Sequence, residues 1–316
     1  MGIIAKFKKL GPRIFIKKLL GFEPVFACAF REKGAKALYD GEVQRPFHLV
    51  PIDKNSWYAD PLLFEQDGHT YLFMESWGYR SRKGVIVCCE IDGTSASVPR
   101  IVIEEDYHIS FPNVFSFQSG LYMIPEVEES GGIDLYHCLK FPYDWEKFTH
   151  IDTKVPIIDT VIEAIDKDTI YLKASSFDAS NDLKTCFWNY QLKFKAGTVE
   201  YVDDNDDISH EMSYENRNAG RYIEINPSEG KHCVQRSTRS IYGYSLKFMD
   251  CLRQGFRWED QPERVCEIPP NIIRVSNWKK NIIGTHTYSA TSKYEVVDIE
   301  YFRWSPMNWV RQIIKR

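Results

Sequence analysis

The chain has 316 residues, of which 43% are hydrophobic and 14% aromatic, and its formal net charge is -4. This composition is typical of a globular protein with a large core and excludes an intrinsically disordered chain. The acidic balance and the lack of a zinc-finger pattern argue against a nucleic-acid partner. The eight cysteines are scattered without CxxC pairs, which indicates reduced thiols, so we expect no metal and no cofactor.

Both ends of the chain are basic and apolar. Residues 1–22 carry six basic residues and no acid: Lys6, Lys8, Lys9, Arg13, Lys17 and Lys18. The tail 304–316 repeats this mixture, which is typical of a short amphipathic helix on an anionic membrane surface. The alternative is a helix that docks on the domain itself. From the reduced thiols and the basic ends we expect a cytoplasmic protein with peripheral membrane contact. We divide the chain into a basic segment and lead-in 1–45, a folded domain 46–303 and the tail 304–316.

A repeated hairpin pattern organises the middle of the chain. In Trp57–Glu75, Asp60-Pro61 enters an apolar run, a turn follows at 66–68, and alternating residues then return. Four further stretches share the pattern, with turns at 119–120, 166–168, 229–230 and 279–281: residues 111–126, 157–175, 219–235 and 272–288. This repeat length is that of propeller blades. The sequence therefore predicts an all-β fold, a five-bladed β-propeller with short basic amphipathic helices at the termini.

Polar residues where the repeated strands begin are the candidate site, because the innermost strand of each blade lines a central channel. Carboxylates that face each other there would move their pKa values apart and so acquire base and acid roles, as glycosyl transfer needs. The candidate catalytic residues are Asp60, Glu126 and Asp159. The candidate substrate-binding residues are His108, Arg217, Asn218, Gln235, Arg236 and His286.

Each candidate also has a plainer structural interpretation. Asp60 before a proline could cap a turn, Glu126 could be a solvated strand end, and Asp159 could bond to its own loop backbone. The arginines could form surface ion pairs, although guanidinium groups are the preferred clamp for a diphosphate. His286 on an apolar strand could be a satisfied interior histidine.

Four stretches carry a resemblance to a known domain: WYADPLLFEQDGHTYLFMES, HISFPNVFSFQSGLYMIPE, NRNAGRYIE with CVQRSTRSIYGYSL, and GTHTYS. They resemble the propeller domain at the N-terminus of plant glucosamine inositolphosphorylceramide transferases and in bacterial polysaccharide-synthesis proteins, over about residues 55–303. That domain is similar to the propellers of family 43 glycoside hydrolases. The resemblance implies that Asp60, in a DP motif, is the base and that Asp159 is the second aspartate, which tunes the pKa of the acid.

The resemblance breaks at the fourth blade. The hydrolases carry their general-acid glutamate in an E-G-P motif there, whereas this chain has residues 216–220, NRNAG. A nucleotide diphosphate leaves without that acid, and arginines could stabilise its charge. The resemblance therefore implies a glycosyltransferase that moves a sugar, by analogy a furanose, from a nucleotide-sugar donor to a glycan or lipid-linked glycan acceptor in polysaccharide or glycolipid assembly.

Two alternatives remain open at this point. A family 43-like glycoside hydrolase would apply if Glu215 restored the missing acid. A non-catalytic carbohydrate-binding module would apply if the channel held an aromatic platform without paired acids.

Overall fold

The computed structural model describes residues 16–17, 20–153, 155–178, 181–195, 198–203, 212–213, 216–226, 230–237, 244–306 and 309. The strands, in chain order, are β1 (Phe22–Glu32), β2 (His48–Leu49), β3 (Ser56–Gln66), β4 (His69–Gly78), β5 (Gly84–Asp92), β6 (Ser95–Ala96), β7 (Arg100–Ile103), β8 (Ser110–Phe117), β9 (Gly120–Glu126), β10 (Gly132–Lys140), β11 (Asp144–Asp152), β12 (Ile158–Ile165), β13 (Thr169–Asp178), β14 (Asn181–Lys195), β15 (Thr198–Asp203), β16 (Met212–Ser213), β17 (Asn216–Asn218), β18 (Ile223–Asn226), β19 (Gly230–Ser237), β20 (Leu246–Gln254), β21 (Arg257–Ile268), β22 (Tyr288–Ala290) and β23 (Tyr294–Trp304). Short 3-10 turns occupy Leu38–Asp40, Glu128–Ser130 and Pro270–Ile272.

These strands form five antiparallel sheets, which are the blades of a five-bladed β-propeller, as predicted. Blade one contains β3 to β7, blade two β8 to β11, blade three β12 to β16, and blade four β17 to β21. Blade five has the order β22, β23, β1, β2 from its inner strand outwards. The predicted terminal helices fall largely outside the described residues. Within the described part of the chain, no helix has the length and apolar character needed to cross a bilayer.

The first three predicted hairpins are confirmed. Strands β3 and β4 pair from Ser56↔Gly78 to Gln66↔His69, and the connecting Asp67 and Gly68 both have positive φ, 51° and 81°. Two positive φ values in a two-residue loop match the twist of the flanking strands. The pairs β8–β9 and β12–β13 repeat the arrangement about the predicted turns.

The fourth hairpin is present with a divided inner strand, since β17 and β18 both pair with β19. Gly220 lies in the interruption with φ 152°, and a Cβ there would sit 1.9 Å from the carbonyl oxygen of Tyr288 in blade five. A side chain would push blades four and five apart. The glycine of the NRNAG stretch is therefore explained by the close approach of two blades.

The fifth predicted hairpin, at 272–288, is wrong. Its residues form a 3-10 turn and irregular backbone, and the inner hairpin of blade five is instead β22–β23, paired from Tyr288↔Val297 to Ala290↔Glu295. The connection is held by the Thr291 hydroxyl oxygen, which accepts the backbone N–H of Tyr294 at 3.1 Å. A turn closed by a threonine side chain carries no glycine signal, which is why the pattern missed it.

The ring closes through strands from opposite ends of the sequence. Strand β1 pairs with β23 over eleven residues, from Phe22↔Trp304 to Glu32↔Tyr294. The propeller therefore includes residues that the sequence-based division placed in the lead-in before residue 46. A buried ion pair lies within this closure, since Arg31 Nε donates to Glu295 Oε1 at 2.7 Å.

Apolar side chains pack between neighbouring blades. Phe73 and Ile86 of blade one, for example, contact Val114 and Met123 of blade two, and all four are fully buried. Equivalent clusters join blades two and three, blades four and five, and blades five and one. Burying both faces of a sheet in this way stabilises it by about 1.5–3 kcal/mol per large apolar side chain. The result is a rigid ring around the channel that carries the candidate site.

Candidate active site

A β-bulge recurs where three inner strands enter the channel. The ladder register shifts between Ala59 and Leu62 in β3, and β8 and β12 shift at the equivalent place. The bulged residues Asp60, Phe111 and Asp159 have φ values of 49°, 46° and 50°. A bulge redirects a side chain, and aspartate tolerates this left-handed backbone better than most residues do. Blades one and three thereby each aim a carboxylate into the channel.

The carboxylates of Asp60 and Asp159 line a cavity of about 190 Å³. Its lining side chains are Phe26, Trp57, Asp60, Glu75, Trp77, His108, Ser110, Glu126, Asp159, Arg236 and His286. The volume is below the roughly 300–1,000 Å³ of pockets that enclose drug-sized ligands. The cavity therefore suits one small polar ring, with any larger attached group outside it.

The cavity brings together most of the residues expected from the sequence. The predicted residues that line it are Asp60, His108, Glu126, Asp159, Arg236 and His286. The remaining three lie behind this wall. Arg217 contacts Asp159, the side-chain amide of Asn218 donates to the Asp159 carbonyl at 2.9 Å, and that of Gln235 donates to Asp260 at 3.1 Å. These three side chains support the cavity.

Asp159 is clamped by two arginines of blade four. Arg217 reaches its Oδ2 through Nε at 2.6 Å and Nη2 at 2.5 Å, and Arg236 Nη2 contacts its Oδ1. Burial opposes ionisation of Asp159, but the two guanidinium charges outweigh it and lower the pKa of this carboxyl. Asp159 is therefore charged at neutral pH. The arginines expected to clamp a diphosphate have this carboxylate as a partner.

Glu126 has the opposite electrostatic environment. Burial and the negative charge of Asp159 raise its pKa to about 8, against a smaller opposing effect of Arg217. Its Oε2 accepts the backbone N–H of Asp159 at 2.8 Å. At neutral pH Glu126 carries a proton beside an ionised aspartate, and such a separation of pKa values assigns acid and base roles.

Glu75, which was not among the candidate residues expected from the sequence, is a second carboxyl with a raised pKa. Burial, followed by the charges of Asp60, Glu126 and Asp298, raises its pKa well above the usual range. It lies 3.8 Å from Nδ1 of His108, which accepts the backbone N–H of Gly84 at 3.0 Å. Burial lowers the pKa of His108 despite the opposing charge of Asp60, so its imidazole is neutral near pH 7.

Asp60 is held in place from blade five. The Thr287 hydroxyl donates to its Oδ1 at 2.7 Å, and His286 Nδ1 lies 3.8 Å from the same oxygen. His286 also contacts Asp298, whose Oδ1 accepts the backbone N–H groups of His286 at 2.8 Å and Thr287 at 3.0 Å. Burial opposes ionisation of Asp298, but His286 and these hydrogen bonds lower its pKa. Asp298 therefore fixes the strand that orients Asp60.

Two groups of described residues have donor atoms close enough to share a metal ion: Asp60, His286 and Asp298, and Cys233, Cys251 and Asp260. In the first group Asp298 is already bound by backbone N–H groups. In the second group Lys173 Nζ lies 3.4 Å from Asp260, so an ammonium already balances that carboxylate. Hydrogen bonding and ion pairing account for both groups.

An aromatic row borders the carboxyl groups. Trp57 and Trp77 stack with ring centroids 5.7 Å apart, Phe26 lies 5.3 Å from Trp57, and Phe26 stacks on His286 at 4.3 Å. Aromatic faces beside polar groups are suited to a sugar, which presents both C–H faces and hydroxyls. Both features that the alternatives required, an aromatic platform and paired acids, therefore occur together.

The described part of blade four contributes cations to the cavity. Arg236 lines the cavity, and Arg217 lies directly behind it against Asp159. Glu215, the residue that could restore the missing acid, lies outside the described residues. The cavity glutamates with raised pKa values that the structure describes, Glu75 and Glu126, belong to blades one and two.

The family model described as "Glucosamine inositolphosphorylceramide transferase 1, N-terminal" matches residues 48–252. Glucosamine inositolphosphorylceramide transferase 1 of Arabidopsis thaliana is 34% identical over 110 residues, which are 34% of this chain and 14% of the relative. The protein of that name from Oryza sativa subsp. indica is 31% identical over 114 residues, 35% of this chain and 15% of the relative. The match thus spans a small part of these longer relatives.

Two solved glycosidase structures are similar in fold. The catalytic domain of a Coprinopsis cinerea GH62 alpha-L-arabinofuranosidase has a TM-score of 0.51 at 13% identity, covering 87% of this chain and 97% of that chain. A thermostable family-43 glycoside hydrolase has a TM-score of 0.51 at 13% identity, covering 81% and 91%. At these identities the likeness establishes the shared propeller and leaves the chemistry to the side chains.

Proposed function

Because the chain belongs to the glucosamine inositolphosphorylceramide transferase 1, N-terminal, family, we propose that it is a glycosyltransferase built on a glycosidase-like propeller. The donor is a nucleotide sugar, and the acceptor is a glycolipid or a growing polysaccharide. The transferase activity in the family's name belongs to relatives of which this chain covers 14–15%. The proposal for this chain therefore depends on its own cavity.

The observation that carries the proposal is the contrast between Glu126 and Asp159. The Glu126 carboxyl, with a pKa of about 8, accepts the backbone N–H of Asp159, whose own carboxyl has a lowered pKa. This arrangement supplies a proton donor and fixed negative charge on one wall of a sugar-sized cavity. Asp60 provides a third carboxyl across the channel.

In the proposed reaction Asp60 takes the proton of the acceptor hydroxyl, and the acceptor oxygen then bonds to the anomeric carbon of the donor. The bond between that carbon and the phosphate oxygen breaks, and the diphosphate keeps the electron pair. Glu126 donates its proton to the departing oxygen. If the linkage is retained, Asp60 instead attacks the anomeric carbon as the diphosphate leaves; the acceptor oxygen then displaces Asp60 from that carbon, and the acceptor proton passes to the Glu126 carboxylate.

The other cavity residues have supporting roles in this proposal. Arg217 and Arg236 keep Asp159 ionised. Burial and the charge of Asp159 keep Glu126 protonated, against a smaller opposing effect of Arg217. His108 and His286 bind sugar or phosphate oxygens. The sugar stacks on the row formed by Phe26, Trp57 and Trp77, and the nucleotide remains outside the cavity because 190 Å³ is too small for it.

Hydrolysis is the second candidate, and the same protonated Glu126 favours it. A hydrolase would use the acid to protonate a sugar leaving group and would pass the glycosyl group to water. The two reactions differ in what must be supplied, since transfer requires an activated donor and an acceptor. Free sugar released from an aryl glycoside, without any nucleotide sugar, would identify hydrolysis.

The test is a screen of nucleotide sugars with glycolipid and polysaccharide acceptors, followed by Asp60→Asn with the active pair. We expect Asp60→Asn to lower turnover by about 10²–10⁴-fold, the usual contribution of an acid or base. Asp67→Asn is the matched control, because Asp67 is an exposed aspartate with the same left-handed backbone, φ 51°. Full activity in Asp60→Asn would refute the catalytic assignment. Sugar binding without turnover in any condition would identify a binding module.

A further inference from the structure

Segments from the two ends of the described chain meet at the end of blade five where β1 begins and β23 ends. The backbone N–H of Ser305 donates to the Gly21 carbonyl at 3.0 Å, and the Trp304 indole N–H donates to the Leu20 carbonyl at 3.1 Å. Trp309 packs so closely on Gly21 that a Cβ there would lie 2.7 Å from the Trp309 Cβ. These contacts hold both segments in a single surface.

This surface exposes large apolar side chains beside a lysine. Ile16 is 52% exposed, Leu20 54%, Trp304 53% and Trp309 48%, and Lys17 Nζ lies 4.2 Å over the Phe302 ring. We call these five residues, Ile16, Lys17, Leu20, Trp304 and Trp309, the terminal surface. A cluster of exposed apolar residues on a globular protein marks an interaction site, and tryptophan is enriched where protein meets the interface of a bilayer.

The charges near the terminal surface indicate which kind of partner it would bind. Lys280 Nζ lies 4.3 Å over the Tyr301 ring, and Arg303 lies 3.8 Å over the Tyr79 ring. One acid, Glu23, lies near these basic residues, with its Oε1 3.9 Å from Nη1 of Arg303. The flanking sequences 1–15 and 310–316 contain seven further basic residues and no acid: Lys6, Lys8, Lys9, Arg13, Arg311, Lys315 and Arg316. Apolar side chains within such an excess of positive charge are complementary to anionic lipid.

The terminal surface lies near the aromatic row of Phe26, Trp57 and Trp77 in the cavity lining, which we take as the cavity entrance. Phe26, which contacts Trp57 at that entrance, is four residues from Phe22, the partner of Trp304 in the ladder. At about 3.3 Å per residue this is roughly 13 Å along the strand. Tyr79, which follows the strand that brings Trp77 to the entrance, is the residue covered by Arg303.

We propose that the terminal surface docks the propeller onto an anionic membrane with its cavity entrance turned towards the lipid. Leu20, Ile16 and the two tryptophans enter the headgroup region, and the lysines and arginines lie against lipid phosphates. The docking itself stands on the geometry of the terminal surface. The functional consequence is that a lipid-linked glycan acceptor could enter the cavity while its lipid stays in the membrane, and this part rests on the proposed function.

The experiment is co-sedimentation of the full chain with vesicles of phosphatidylcholine alone and vesicles that also contain phosphatidylglycerol. We expect binding to the anionic vesicles that weakens as salt is raised, because screening reduces attraction to lipid phosphates. The double variant Leu20→Glu, Trp304→Glu should lose about tenfold in partitioning. The matched control is Leu139→Glu, Leu252→Glu, since these leucines are 55% and 49% exposed elsewhere on the propeller. The control should bind like the wild type.

Several outcomes would overturn the proposal. These are equal binding by the double variant and the wild type, no preference for anionic vesicles, or concentration-dependent dimerisation abolished by the double variant. Salt dependence of the wild type tests the inference even if the double variant does not fold. An assay of glycosyl transfer to a water-soluble acceptor separates this inference from the proposed function. Transfer to that acceptor by a protein that does not bind vesicles would refute membrane docking but not the transferase proposal. Vesicle binding without any transfer would refute the transferase proposal but not membrane docking.

Discussion

The backbone N–H of Asp159 donates a hydrogen bond of 2.8 Å to the carboxyl of Glu126, and the side chains of these two residues have opposite pKa shifts. The bond connects the neighbouring blades two and three. Since burial and the charge of Asp159 raise the pKa of Glu126, a change in the charge of Asp159 should change the protonation of Glu126.

The first prediction concerns pH. Glu126 must keep its proton to act as an acid, and its pKa is raised to about 8, so activity should be present below pH 8 and fall as pH rises through it. Glu126→Gln should lower kcat/KM by about 10²–10⁴-fold and remove this alkaline limb. The measurement is kcat/KM against pH. Glu104→Gln, at an exposed position, should leave the profile unchanged, and a retained limb in Glu126→Gln would assign the titration to another group.

The second prediction is that two substitutions shift the alkaline limb of the pH profile in opposite directions. The charge of Asp159 raises the pKa of Glu126 and that of Arg217 lowers it. Asp159→Asn should therefore shift the alkaline limb to lower pH, and Arg217→Met should shift it to higher pH. Arg217→Lys is the control because it keeps the charge. Each charge-removing variant should also lose about 3–5 kcal/mol of stability, since it breaks the buried ion pair between Asp159 and Arg217. Shifts in the same direction would contradict the assignment.

The third prediction concerns the closure of the ring. Glu295 receives Arg31 at 2.7 Å, the Leu38 backbone N–H at 2.8 Å and the Tyr288 hydroxyl at 2.7 Å, and it is fully buried. Glu295→Gln should lower the free energy of unfolding by about 3–5 kcal/mol, measured by urea titration, because Arg31 is left as an uncompensated buried charge.

The control for this stability prediction is another ion pair. Lys195 and Glu200 are joined at 2.6 Å with both side chains more than half exposed. Glu200→Gln should change the free energy of unfolding by less than about 1 kcal/mol. Equal effects of the two substitutions would show that the closure gains nothing from its buried pair.

The fourth prediction concerns the aromatic row. Trp77→Ala removes one face of the Trp57 stack at the cavity entrance while leaving every carboxyl in place. The KM for the sugar donor should rise about 3–10-fold, corresponding to roughly 0.5–1.5 kcal/mol of stacking, with a smaller change in kcat. Trp304→Ala, outside the cavity, should leave the KM for a soluble substrate unaltered. An unchanged KM in Trp77→Ala would exclude stacking on this row.

The propeller was predictable because its signal is local and repeated. The turn at Asp67-Gly68 and the alternation on either side of it suffice to define the first hairpin, and the same chemistry recurs in blades two and three. Asp60 was predictable for the same reason, since its position before the apolar strand is visible in the sequence. Blade five was not, because its second strand pairs with β1, more than 260 residues away, and no local pattern encodes that partner.

The missed site residues depend on this long-range pairing. Asp298 lies on β23, which belongs to none of the five hairpins predicted from the sequence. Phe26 precedes every repeat that the sequence displayed. Glu75 was visible at the end of its strand, but its raised pKa comes from burial and from the charges of Asp60 and Asp298, which arise only when the chain folds. A pattern can identify an acidic residue, whereas its protonation is a property of the assembled channel.

The pairing of β1 with β23 also affects the order in which the protein matures. Phe26 is synthesised early, yet the histidine on which it stacks and the strand that anchors that histidine emerge only as the ribosome approaches residue 304. A nascent chain interrupted before that point would lack the wall that orients Asp60. The wall of the cavity that orients Asp60 is therefore completed only after β23 has been synthesised.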